Sequence, residues 1–219
     1  MTTVAHTLVL LDWNGTVMDD VDRAVAATND ATAGRGLPVM DRAAFQNSFT
    51  LPMNTWFQGM GIADGDTGEV EKRWNESMKT LAPVRANVAE TLTLLRQGSV
   101  VTGVVTAADE TVLEHDIRHN RLTGMFDHLR ASVSNKAECL ASLRHLGTAA
   151  YYVGDTAYDM ICAQEAGYVP ISIGGGYQHP DRLAAAGADH HLDSFEELLT
   201  LLHLPAGAGR PPAHPSLTR

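Results

Sequence analysis

Six short apolar runs, each of strand length and separated by stretches with helical spacing, constrain this chain more than any other feature. They lie at residues 6–12, 99–106, 128–133, 149–153, 169–173 and 189–192. The first is continuously apolar and the second is rich in valine ("SVVTGVVT"), the pattern of strands covered on both faces. Helical patterns at 87–96, 109–120, 136–145, 157–166 and 194–203 alternate with them. Strand–helix alternation predicts an α/β fold, a parallel sheet with helices on both faces.

One region breaks the alternation. Between about residue 20 and residue 81 the patterns are helical, with helix starts expected at Asp20 and Asp41 and a stop and turn at "GRGLP", 34–38. We therefore expect an α/β core formed by 1–17 and 83–204, with a small α-helical domain, 18–82, inserted after the first strand. The remaining 205–219 is rich in Pro and Gly and is expected to be a disordered tail.

Composition removes several classes of function. The 219 residues carry a net charge of −10, without a cluster of Lys or Arg, so no nucleic-acid partner is expected. A local field at a pocket can still favour a small anion. Cys139 and Cys162 fall within helical patterns and read as reduced core thiols. The chain shows no basic-then-apolar leader at Met1 and no run of about 18 apolar residues. Neither a secretion signal nor a membrane partner is expected, and a cytoplasmic location follows by default.

In an open parallel sheet, ligands bind beyond the carboxyl ends of the strands. Reactive residues collect there. Asp12 closes the first strand and Thr106 the second; Lys136 opens a helix just after "ASVSN"; "VGDTAYDM" sets Asp155 at a strand end with Asp159 one turn into the next helix. Carboxylates of this kind hold magnesium through oxygen. A lysine and a hydroxyl bind phosphate oxygens. The combination suits phosphoryl chemistry.

These motifs, in this order, resemble those of the haloacid-dehalogenase-like hydrolases, in the phosphoglycolate-phosphatase-like branch with a helical cap. "DWNGTVMDD" is similar to the first family motif, "VVTAAD" to the second, Lys136 matches the third, and "YYVGDTAYDMICAQEAG" the fourth. The resemblance covers most of 6–203 and implies a Rossmann-like core with a cap. It further implies a magnesium-dependent phosphatase acting on a small phosphorylated metabolite. Oligomeric state is not in the sequence; a monomer is the default, with a dimer left open. Asp12 would be the nucleophile that forms an aspartyl-phosphate. Magnesium would be held by Asp12, Asp155 and the main-chain carbonyl of Asn14, with Asp159 assisting. Thr106 and Lys136 would hold phosphoryl oxygens, with the amides of Ala107 and Trp13 nearby and Thr16 next to them.

Asn14 departs from the family, which usually has an aspartate there that protonates the leaving alkoxide and then deprotonates water. An amide orients water but exchanges no proton near neutral pH. The missing assistance is worth a factor of roughly 10² to 10⁴. Three readings stay open: a phosphatase without its acid–base residue, a hydrolase of another bond such as carbon–phosphorus, and a phosphate-binding regulatory homologue that turns over negligibly.

The insertion offers few specificity residues by spacing alone. Met53, Trp56, Phe57 and Met60 share a helix face expected to form the insertion's core, with Trp56 a candidate for the substrate pocket. Arg23 and Arg73 are candidates for a second anionic group on the substrate. Asp20 reads as a helix cap. His115 with His119, and His190 with His191, read as structural or exposed, since neither pair has a third ligand nearby.

Overall fold

A computed structural model describes residues 6–205. The tail expected to be disordered lies outside the described residues apart from Pro205. Six parallel strands form one sheet in the order β3-β2-β1-β4-β5-β6. They are β1 (Thr7–Leu11), β2 (Val101–Val105), β3 (His128–Arg130), β4 (Ala149–Gly154), β5 (Val169–Ile173) and β6 (His190–Leu192). The fold is α/β and Rossmann-like, and all six strands fall where the apolar runs predict them.

Strand β1 shows why its sequence is apolar throughout. Val9 and Leu11 face one core cluster, with Leu92, Leu95, Phe195 and Leu198. Leu8 and Leu10 face a second, with Leu140, Tyr152, Ala163 and Tyr168. Successive strand side chains point to opposite faces, so a central strand needs apolar residues at every position. The first cluster draws on α5 (Val88–Gln97), α6 (Glu110–His119) and α10 (Glu197–Leu201). The second draws on α7 (Lys136–Leu143) and α8 (Ala157–Glu165). Between β5 and β6 runs a short helix that the spacing did not predict, α9 (Pro180–Ala185).

Strand order reverses at β1, which pairs with β2 on one side and β4 on the other. Its carboxyl end is thus the topological switch point, where an open α/β sheet leaves a crevice. Asp12 stands there, its N–H donating to the Val153 carbonyl at 2.9 Å.

The inserted segment is helical, as expected: α1 (Val21–Thr32), α2 (Arg42–Ser48), α3 (Met53–Gly59) and α4 (Thr67–Ser77). It has its own apolar cluster, including Ala24, Phe45, Phe49, Trp56, Phe57 and Trp74. Asp41 caps α2 by accepting from the Ala44 N–H at 2.7 Å. The two connecting segments run side by side as a short antiparallel bridge between Met18 and Val84. The Asp19 N–H donates to the Pro83 carbonyl and the Arg85 N–H to the Val17 carbonyl, both at 2.9 Å. Both connections therefore leave the sheet at one point, beside Asp12.

The insertion also touches the core beyond these connections. Tyr177, in the loop after β5, packs edge-on against Phe45 and Phe49. Gln178 donates to the Phe49 carbonyl at 2.8 Å, and Gln46 to the Gly176 carbonyl at 2.7 Å.

Candidate active site

The carboxyl ends of β1 and β4 bring three buried carboxylates together. Asp12, Asp155 and Asp159 each offer an oxygen within 4.8 Å of the others. Lys136, the first residue of α7, reaches in among them and is fully buried. Its Nζ lies 2.5 Å from Asp159 Oδ1 and 3.2 Å from Asp12 Oδ1. A cation at a helix N-terminus opposes the helix dipole; here the two carboxylates offset that.

Each acid is held differently. Asp159 is the N3 residue of α8 and forms a capping box with Thr156, whose N–H and hydroxyl donate to its Oδ2 at 3.0 and 2.6 Å. Its other oxygen takes the lysine. Asp155 accepts from the Thr16 hydroxyl at 2.9 Å and from the Tyr177 N–H at 2.6 Å. Gly15, at φ +71°, and Gly176 frame that carboxylate, and a Cβ on either would collide with it. Glycine is required at Gly15 for the left-handed backbone as well. Asp12 differs from both: its buried Oδ1 has the lysine charge close by but no hydrogen-bond donor of good geometry.

Burial pushes the Asp12 carboxyl up to about 6, against the pull of Lys136, and Asp159 adds to the rise. Burial also carries Asp155 well above the ordinary carboxylate range, with Asp12 and Asp159 adding like-charge repulsion. For Lys136, burial works against the charge, but Asp12 and Asp159 more than offset it and raise its pKa. Three acids against one base leave an excess of negative charge. An oxygen-only donor set of this size, with one buried oxygen lacking a donor, fits a hard divalent cation. Asp12 and Asp155 would hold it, with Asp159, which also orients the lysine and caps α8, within reach.

A cavity opens over Asp12. Its core side is formed by Asp12, Asn14, Thr106, Ala107, Thr156 and Tyr177, and its other side by the inserted helices. A second recess of about 320 Å³ shares Ala107 and several of the inserted residues. Four sequence-predicted residues therefore reach the cavity: Asp12, Asn14, Thr106 and Ala107. Lys136, Asp155 and Asp159 lie beneath it.

Other candidates are placed elsewhere. Trp56 sits in the aromatic core of the insertion, edge-on to Phe45 and Phe49 and tilted against Phe57, and is absent from the cavity wall. Thr16 is fully buried with its hydroxyl on Asp155, so it positions a carboxylate and does not face substrate. The Trp13 side chain is also fully buried, its indole N–H donating to Asp116 at 3.0 Å. Arg23 is engaged by Asp20 and Asp116, and Arg73 by Asp30 at the surface.

Asp20 does not cap α1. Its carboxylate accepts from the Asn14 amide at 2.6 Å, from the Gly15 N–H at 2.7 Å and from Arg23 at 2.7 Å. Burial raises its pKa against the pull of Arg23. The spacing of Asn14 and Asp20 gave no sign of this contact, because the turn at Gly15 folds the chain back on itself.

A family model for haloacid dehalogenase-like hydrolases matches residues 9–172, which include every residue of the acid cluster. The chain belongs to the haloacid dehalogenase-like hydrolases. Within this hydrolase family it is similar to an N-acetylmuramic acid 6-phosphate phosphatase from Pseudomonas aeruginosa, at 25% identity over 89% of this chain and 93% of that protein. It is 22% identical to a phosphoglycolate phosphatase from Synechococcus elongatus, over 87% and 94%. A crystal structure of a predicted phosphatase from Clostridium acetobutylicum shares its fold, with a TM-score of 0.80, 19% identity, and 91% and 99% of the two chains covered. Among the described residues, no helix of this haloacid dehalogenase-like hydrolase is long and apolar enough to cross a membrane.

Proposed function

We propose that the chain is a magnesium-dependent phosphatase that hydrolyses a small phosphate monoester through an aspartyl-phosphate on Asp12. The observation that carries this reading is the Asp12 carboxylate itself. It lines the cavity at the carboxyl end of β1, with the Lys136 ammonium 3.2 Å from its buried Oδ1. A carboxylate so placed is free to attack.

Bound at Asp12 and Asp155, a magnesium ion would neutralise the excess charge and polarise the phosphoryl group. The chain's own residues supply the rest. Asp12 attacks phosphorus and the P–O bond to the alcohol breaks, leaving the phosphoryl group on the carboxylate. Thr106 and the amide of Ala107 flank the position of its oxygens. Lys136, oriented by Asp159, holds charge against the phosphoryl group from below. Water then attacks the phosphorus, releases phosphate and restores Asp12. Asn14 accepts a hydrogen bond from that water. It does not protonate the departing alcohol, so the first half-reaction depends on the leaving group and solvent. The inserted helices act as a cap that covers the cavity and excludes bulk water.

The test is phosphate release from a panel of monoesters with and without Mg²⁺, comparing the wild type with Asp12→Asn. Release that requires both the ion and Asp12 supports the reading. Release that survives Asp12→Asn overturns it.

A further inference from the structure

Above Asp12 the cap gives the cavity a lopsided chemistry. Phe49, Leu51, Met53 and Trp74 make an apolar wall, and the polar groups beside them are Glu71 and Asn75. These two lie four residues apart on α4, hence on one helix face. Both also line the adjoining recess, so they span the path from the outside to Asp12. Among the described residues neither side chain has a hydrogen-bond or ion-pair partner, whereas every arginine of the cap has one. Arg35 pairs with Asp66, Arg42 with Asp22, Arg73 with Asp30, and Lys79 with Glu76. Arg23 is buried between Asp20 and Asp116. Lys72 and Lys79 line a third recess, which Glu71 and Asn75 also border, and neither lysine lines the cavity over Asp12.

The cap side of the cavity thus presents one carboxylate, one amide and an apolar surface, without a cation. A carboxylate accepts hydrogen bonds and repels anions. Burial raises the Glu71 carboxyl, as expected for a group withdrawn from water without a partner. A bound hydrogen-bond donor would supply that partner. A second anionic group at the same place would face Glu71 with no cation lining that cavity to neutralise either.

We infer that Glu71 and Asn75 are the specificity-determining residues of the cap, and that they select the phosphate ester of an alcohol bearing amine or hydroxyl donors and no second anionic group. This rests on the phosphatase reading above. It departs from the chemistry of phosphoglycolate, whose organic half is itself a carboxylate. The shared recognition chemistry is donation to Glu71; an amine would add charge attraction to it.

The test compares kcat/KM for 2-aminoethyl phosphate, glycerol 1-phosphate and phosphoglycolate in wild type, Glu71→Gln, Glu71→Lys and Asn75→Ala. In the wild type, both donor-bearing esters are expected to exceed phosphoglycolate by about tenfold or more. Glu71→Gln lowers the 2-aminoethyl preference mainly through KM, and Glu71→Lys inverts it in favour of phosphoglycolate. Asn75→Ala weakens both donor-bearing esters. A larger effect on 2-aminoethyl phosphate than on glycerol 1-phosphate in Glu71→Gln identifies an amine as the preferred donor, the reverse identifies hydroxyls, and equal effects show that donation alone is read. A wild type that prefers phosphoglycolate, or a preference that Glu71→Lys leaves unmoved, overturns the inference. Turnover of p-nitrophenyl phosphate by wild type but not by Asp12→Asn certifies the phosphatase reading separately. If that turnover is missing, calorimetric binding of the same three esters to the Mg²⁺-loaded protein gives the same comparison, with the same outcomes deciding it.

Discussion

The Asn14 amide donates to the Asp20 carboxylate across 2.6 Å, and this contact fixes which end of the amide can face the cavity. Asp20 also takes the Gly15 N–H and Arg23, so it acts purely as an acceptor. Asn14 must therefore give it the NH₂ and keep its carbonyl oxygen for the cavity it lines. An aspartate at position 14 would set two buried carboxylates face to face, and one of them would have to hold a proton to stay there.

Asn14→Asp alone is accordingly expected to change turnover little, or to lower it. Combining it with Asp20→Asn rebuilds the contact with its donor and acceptor exchanged. The double variant should then gain part of the roughly 10² to 10⁴ that acid–base assistance supplies, most of all on alkyl phosphates with poor leaving groups. Steady-state phosphate release from the four forms checks this, and equal gains in the single and double variants would sink it.

Arg23 links α1 of the inserted segment to α6 of the α/β core. Its guanidinium contacts Asp20 at 2.7 Å and Asp116 at 2.6 and 2.8 Å, and Asp116 in turn accepts from Trp13. Arg23→Met leaves two buried carboxylates without their counter-ion. The expected loss is about 3–5 kcal/mol in urea unfolding. Arg23→Lys should recover only part of it, since an ammonium cannot reproduce the planar fork.

The strands and the acid cluster were legible because each depends on local sequence: continuous apolar runs for buried strands, and reactive side chains at their carboxyl ends. Asp20 and Arg23 were not. Three residues apart at the start of a helix, they read as a helix cap and a candidate contact for an anionic group on the substrate, and only the turn at Gly15 and the position of α6 bring Asn14 and Asp116 to them. Trp56 and Trp74 show the same limit. Both are buried in one aromatic cluster, yet Trp74 reaches the cavity wall and Trp56 does not. Helical spacing shows that a face is apolar; it does not show which edge of that face borders a cavity.

Metal binding should be visible in stability as well as in activity. Asp12 has a folded-state pKa of about 6 against 3.8 for the ordinary group, and Asp155 is also raised. A raised carboxyl binds more protons folded than unfolded in that interval. Its contribution is therefore complete below the unfolded value and is lost as pH rises through the folded one. Without a divalent cation, the melting temperature should carry a falling component from about pH 4 to pH 6, to which the raised Asp155 adds in the same direction. Mg²⁺ binds the deprotonated acids. The rise in melting temperature on adding it should be larger near pH 7.5, roughly above this window, than near pH 5, roughly within it. A rise that is the same at both would count against Asp12 and Asp155 as the ligands.

Lys136 is the one base among three buried acids, and its removal tests the balance directly. Lys136→Met keeps much of the side-chain volume but leaves Asp12, Asp155 and Asp159 without the ammonium that Asp159 holds at 2.5 Å. Removing one partner of a buried pair typically loses about 3–5 kcal/mol, and here the remaining charges repel one another. Added Mg²⁺ should restore part of the loss, because a ligand that binds only the folded state stabilises it by mass action. Phosphate release should stay low even then, since the ion does not replace the ammonium beneath the phosphoryl group. Thermal melts of wild type and Lys136→Met, each with and without Mg²⁺, measure both effects. A variant that melts like the wild type in the absence of the ion would show that the lysine is not what holds the acids together.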